Sequence, residues 1–142
     1  MEKKFSRLWK GSKQPRKQRK YRYNLLLHLR HKLSSSHLSK ELRAQYGIRS
    51  LVARSGDKVK VMRGQFKKRV GKIESVNAKT AKAYIQGAEF IKKDGSKSLY
   101  PIHASNLMLL ELNLDDKKRL KNKLQSGKIK QPKQPEKSKK TE

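Results

Sequence analysis

Only one stretch of this chain alternates apolar and polar residues for long enough to build a sheet. Val59 and Val61 alternate with Lys58, Lys60 and Met62, the period of two that a half-buried strand requires. Val70, Ile73 and Val76, with Gly71 among them, predict a second, kinked strand. Ala81, Ala83 and Ile85 alternate with Lys82, Tyr84 and Gln86 as a third. Asp94-Gly95, between Ile91 and Leu99, marks a hairpin turn, read as type I′ because that turn needs positive φ. Leu107, Leu109 and Leu112 make the last strand. Five short strands in about 55 residues favour a small, strongly bent barrel over an open sheet. The fold class is therefore mainly β, with the barrel spanning residues 55–112.

The flanks read differently. Residues 1–23 are almost entirely basic and polar and cannot bury enough apolar surface to fold alone. Residues 24–54 form a helical extension. Leu25, Leu26, Leu29 and Leu33 have helical spacing, and a second helix is capped by Ser36 or Ser39. That helix aligns Leu38, Leu42 and Tyr46 on one face and stops at Gly47. Residues 113–126 predict a C-terminal helix, because Asp115 and Asp116 precede the lysines in the order the helix dipole favours and Leu120 and Leu124 form a thin stripe. Residues 127–142 are Lys, Gln, Pro and Ser, a basic tail expected to be disordered away from a partner.

Charge decides what this architecture is for. Lysine and arginine number 39 against 11 acids among 142 residues, a net charge of +28 that would strain a free compact state. Residues 1–54 carry +14, and residues 55–112 and 113–142 carry +7 each. A polyanion relieves that repulsion, and nucleic acid does so with release of condensed counterions. No apolar run is long enough to span a bilayer, and the basic N-terminus lacks the apolar core of a secretory signal. With no cysteine there is neither a disulfide nor a thiol-ligated metal, which fits a reducing compartment.

The densest information lies in Gly56-Asp57-Lys58-Val59-Lys60-Val61-Met62-Arg63-Gly64-Gln65-Phe66-Lys67-Lys68-Arg69-Val70-Gly71-Lys72-Ile73, which resembles the KOW motif. In residue terms, alternating valines fill an interior while Gly64 allows a tight loop that projects Arg63, Lys67, Lys68 and Arg69. Gly71 lets the second strand curl against its neighbour. Ser39 to Ser50, Arg54-Ser55-Gly56-Asp57, Pro101 to Asn106 and Leu112 to Asp116 extend the likeness. Over roughly residues 12–124 the chain resembles the large-subunit ribosomal protein L-twenty-four family in its archaeal and eukaryotic form, leaning archaeal. That resemblance implies an SH3-like barrel with an extended arm, bound to large-subunit ribosomal RNA beside neighbouring large-subunit proteins. It also implies a place near the nascent-peptide exit of the cytoplasmic ribosome and an early role in assembly. Two positions depart from the family pattern: Lys68 stands where glycine is usual, and Ala104 where proline is usual.

The RNA-contacting residues expected on this reading come from three places. The arm supplies Lys10, Lys13, Arg16, Lys17, Arg19, Lys20, Tyr21 and Arg22, with tyrosines interleaved for base stacking. The helical extension supplies Arg30, His31, Lys32, Arg49 and Arg54, and the barrel supplies Lys58, Arg63, Lys67, Lys68, Arg69 and Lys72. The competing reading of each basic run is a solvated face or an import signal. Trp9 reads equally as a stacker or an apolar plug, and Phe66 and Tyr84 read as packing or rim residues before base stackers. His28, His31, His37 and His103 show no metal-ligand spacing with acids. No P-loop, thiol or Ser–His–acid set occurs, so neither an enzyme, a cofactor nor a small-molecule substrate is expected. A transcription-elongation regulator would need a polymerase-binding domain before the barrel, for which residues 1–54 are too short and basic. A nonspecific nucleic-acid compactor explains the charge but not the barrel signature.

Overall fold

The alternation becomes seven strands in a computed structural model that describes residues 11–116 and 118–120. Five are the expected ones: β3 Lys58–Val61, β4 Val70–Asn77, β5 Lys82–Ile91, β6 Lys97–His103 and β7 Leu107–Glu111. Two more, β1 Ser35–Leu38 and β2 Ser50–Val52, lie inside the segment read as a helical extension. All of them join one sheet of order β2-β1-β7-β3-β4-β5-β6. The β1–β7 pairing is parallel and the others are antiparallel.

This corrects the five-stranded barrel. Among the described residues β2 and β6 are the two ends of an open, mixed, seven-stranded sheet. The physical reason lies at β7. Its second side is taken by β1, through His37↔Met108 and Leu38↔Leu109, and β1 in turn pairs with β2. Ser-Ser-His-Leu has no apolar alternation to announce a strand. Pairing on both sides makes it one, and the buried Ser36 hydroxyl donates to the Ala104 carbonyl at 2.7 Å.

The inward register of the expected strands holds. Val59, Val61, Ile73 and Ile85 are no more than 2% exposed. All seven strands contribute to one apolar cluster with Phe66 from the β3–β4 loop, so the open sheet is bent around a shared interior. Gly71 makes part of that bend possible. A Cβ there would lie 2.5 Å from the Gln86 carbonyl oxygen and 2.8 Å from Ile85 Cγ2, so only glycine lets β4 approach β5 so closely.

The β5–β6 hairpin turn is not type I′. Asp94 keeps negative φ and only Gly95 is left-handed, at φ 82°. The Gly95 N–H donates to Lys92 O at 3.0 Å and the Lys92 N–H to Ser96 O at 2.9 Å, the pattern of a type I turn followed by a left-handed residue. Asp94 Oδ1 accepts from the Ser96 N–H and hydroxyl, at 2.9 and 2.7 Å, which satisfies the turn and holds the Asp94 carboxyl below its ordinary pKa.

Three helices precede or interrupt the sheet. α1, Pro15–Asn24, forms in the segment expected to lack structure. Proline opens its first turn, and none of its residues is buried. α2, Leu27–Leu33, keeps Leu29 and Leu33 of the expected leucine spacing but begins after Leu25 and Leu26. α3, Lys40–Tyr46, keeps Leu42 and Tyr46, while Leu38, expected on its face, belongs to β1. In α3 the Ser39 hydroxyl accepts from the Leu42 N–H at 3.3 Å, and Gly47 ends the helix. Beyond β7, residues 118–120 are helical; Leu124 and the basic tail lie outside the described residues.

The C-terminal segment is fastened by an ion pair the spacing did not suggest. Asp57, fully buried at the mouth of β3, accepts from both terminal nitrogens of Arg119 at 2.6 Å each. Its carboxylate also takes the backbone N–H groups of Arg54 and Asn113, each at 2.9 Å. Arg119 donates further to the carbonyls of Asn113 and Val52, at 2.6 and 3.1 Å. Two buried charges are tolerable only when paired and hydrogen-bonded to this degree.

Candidate nucleic-acid interface

The β3–β4 loop is a rigid cation holder. Its backbone closes on itself: Lys67 N–H donates to Gly64 O at 3.0 Å, Arg69 N–H to Phe66 O at 3.1 Å and Lys68 N–H to Val61 O at 2.8 Å. Phe66 anchors the loop, buried with its ring 5.2 Å from that of Tyr100. Arg63, Lys67 and Lys68 are left exposed. Lys68 stands where the family pattern has glycine, and the reason for glycine is visible: Lys68 has φ 73°, a conformation that costs a side-chain-bearing residue about 1 kcal/mol. Arg69 belongs partly to the scaffold. Its guanidinium lies 5.2 Å over the Phe66 ring and donates to the Gly87 carbonyl. Lys72 is exposed on β4.

Lys58, cross-strand from Lys72, is bonded to Glu111 on the other flank of β3 at 2.7 Å. That pairing offsets the like-charge repulsion across the strands. Arg54 similarly holds Asp116 at 2.5 Å. This hydrogen bond first, and the Lys118 N–H second, keep the Asp116 carboxyl below the usual carboxylate range. Both cations remain partly exposed.

In the arm, Arg16, Lys17, Arg19, Lys20, Tyr21 and Arg22 share α1, with Lys13 just before it; Lys10 and Trp9 lie outside the described residues. The lysines and arginines are exposed and Tyr21 is half-buried. Arg30 serves the fold, for its Nη2 donates to the carbonyls of Tyr23 and Leu25 at 3.0 and 3.2 Å. There it braces the C-terminal end of α1, where the helix dipole favours a cation. His31 and Lys32 are exposed on α2, and Arg49 is exposed before β2. Arg49 and Arg43 act on His37: burial first, then the two guanidinium charges, push its imidazole below the ordinary value.

Sequence reasoning missed Lys79, and read His103 only as one of four histidines suited to polar or RNA contacts rather than to a metal. Lys79 and His103 line a pocket with Arg22 and Arg30, although they come from the β4–β5 turn and the end of β6. Nothing in the spacing of these four residues signals that they meet.

Comparison with known proteins identifies what carries this surface. A family of ribosomal proteins, described as L26 in eukaryotes and as the P form of L-twenty-four in archaea, matches residues 12–125. The chain belongs to that family. Large ribosomal subunit protein uL24 of Methanosphaera stadtmanae is 48% identical over 108 residues, covering 76% of this chain and 92% of that relative. Membership places the protein in the large subunit of the cytoplasmic ribosome, as a component of the translation machinery. The family is one of structural ribosomal proteins, not of enzymes.

Proposed function

We propose that this ribosomal protein binds large-subunit ribosomal RNA directly, with the β3–β4 loop seated in folded RNA and the arm of residues 1–23 laid along the phosphate backbone. In this reading the bent sheet acts as the SH3-like body, residues 24–54 join the arm to it, and the segment after residue 113 reaches neighbouring large-subunit proteins. Early incorporation during assembly and a place near the peptide exit accompany the family resemblance. The observation that carries the reading is the loop itself. Exposed Arg63, Lys67 and Lys68 sit on a backbone that is hydrogen-bonded and pinned by Phe66, so the cations meet the partner with only their side chains left to order.

The test sets geometry against charge. The triple variant Arg63→Gln, Lys67→Gln and Lys72→Gln removes three charges from the loop and adjoining strand. Lys133→Gln, Lys137→Gln and Lys139→Gln removes three from the tail. On large-subunit RNA at one fixed salt, the first should lose on the order of tenfold more affinity than the second, about 1.4 kcal/mol. On random RNA both should lose similar, modest amounts. Equal losses on ribosomal RNA would reduce the loop to one more patch of charge.

A further inference from the structure

Four basic side chains from four elements converge beside the arm: Arg22 from α1, Arg30 from α2, Lys79 from the β4–β5 turn and His103 from the end of β6. They line a pocket of about 90 Å³. A wider cleft of about 460 Å³, lined by Arg22, Tyr23, Arg30 and Lys79, adjoins it. Among the described residues, no acid lines either space. The ion pairs among the described residues, Arg54–Asp116, Lys58–Glu111 and Arg119–Asp57, involve none of the four. On β3, by contrast, Glu111 relieves Lys58 beside Lys72. Here nothing of the kind is built.

The groups are also held in place. Asn77 Oδ1 accepts from the N–H groups of Lys79 and Thr80, at 3.0 and 3.4 Å, which shapes the turn that presents Lys79. The Arg30 guanidinium is fixed by two carbonyls, and its Nε is buried with no hydrogen-bond partner. A buried guanidinium donor without an acceptor is costly, so the protein leaves part of the Arg30 hydrogen-bonding capacity unspent beside the pocket. His103 Nδ1 meets the Ser105 N–H at 3.3 Å and the Ser105 hydroxyl at 2.9 Å, which holds the ring in place beside the pocket.

We propose that this pocket is a built site for one phosphate of the ribosomal RNA backbone, gripped by Arg22 of the arm, by Arg30 of α2, and from the sheet by Lys79 and His103. The inference rests on the RNA-binding reading and adds what the bound phosphate does. It is the counter-charge that lets the arm close against the β4–β5 turn, and so it sets the arm's direction relative to the sheet. Two guanidinium groups favour phosphate geometrically, since each presents a planar fork of N–H donors to its oxygens.

The experiment uses the full chain with Arg22→Gln, Lys79→Gln and the double variant, bound to large-subunit RNA across a salt series. Arg22 and Lys79 are exposed, so the sheet should stay folded. Without RNA, the melting temperature of each variant should equal or slightly exceed the parent's, because like-charge crowding is relieved; a structural role would lower it. With RNA, the double variant should flatten the salt slope by the share of a single phosphate, about 0.7–0.9, and its affinity loss should fall well short of the product of the single losses. Lys79→Arg should keep the parent's slope. Independent single losses that multiply, with a slope reduced by the share of two phosphates, would overturn the shared phosphate. So would lowered melting temperatures, or variants that bind RNA like the parent but lose affinity for a polyglutamate peptide, which would assign the pocket to an acidic protein neighbour. A parent that fails to bind the RNA at all would instead sink the RNA-binding reading underneath.

Discussion

The arm and the sheet meet the same problem, an excess of positive charge, with opposite resources. Residues 1–23 carry +9, whereas residues 24–112, which hold every strand of the sheet, carry +12 over nearly four times the length. α1 buries none of its residues, and a helix of ten residues is marginal in water without packing. What steadies it is the bracing of its last turn by Arg30 and the burial of Leu25 just beyond it. The sheet, by contrast, closes a common interior with residues from every strand and pairs three of the cations at its margins, Lys58, Arg54 and Arg119, with Glu111, Asp116 and Asp57. A densely charged segment without an interior thus sits beside a body that packs one and pairs part of its charge.

That contrast breaks most severely at the buried ion pair. Arg119→Met leaves the Asp57 carboxylate buried with only its backbone donors, and Asp57→Ala leaves the guanidinium stranded. Either should cost about 3–5 kcal/mol in denaturant unfolding, far beyond the few tenths expected from an exposed cation such as Arg19. A midpoint close to the parent's would show that the C-terminal segment is not part of the folded body.

Deleting residues 1–23 sharpens the contrast from the other side. The sheet should unfold at nearly the parent's denaturant midpoint, since α1 contributes nothing buried. Binding to ribosomal RNA should weaken strongly, and the salt slope should fall by about 0.7–0.9 for each phosphate the arm no longer neutralises. A slope unchanged by the deletion would mean that the arm does not touch phosphate.

The smallest expected effect separates strain from charge within the loop. Lys68→Gly relieves the left-handed backbone at φ 73° and should raise stability by about 0.5–1 kcal/mol while lowering RNA affinity slightly. Loss of stability would show that the lysine stem packs usefully on the sheet.

The β core was legible because burial on one face leaves a period of two in the sequence. Val59, Val61, Ile73 and Ile85 announced both their strands and their inward faces, and the glycine at 71 announced a close approach. Ser39 and Gly47 likewise marked the ends of α3, since capping is a local matter of one hydroxyl and one backbone conformation. The loop cations and their exposure could be read from the KOW-like stretch alone. What local pattern could not hold was anything made by pairing across distance. β1 and β2 are polar or short, and become strands only because β7 has a free side to offer. Asp57 looked like a turn residue until Arg119 met it, 62 positions later. Lys79 and His103 were two ordinary polar residues until the β4–β5 turn and the end of β6 brought them to Arg22 and Arg30. Charge, strand period and caps are carried by neighbours in the chain and survive in the sequence. Sheet order, buried ion pairs and converging cations are set by which surfaces the fold brings together, and only the tertiary structure decides those.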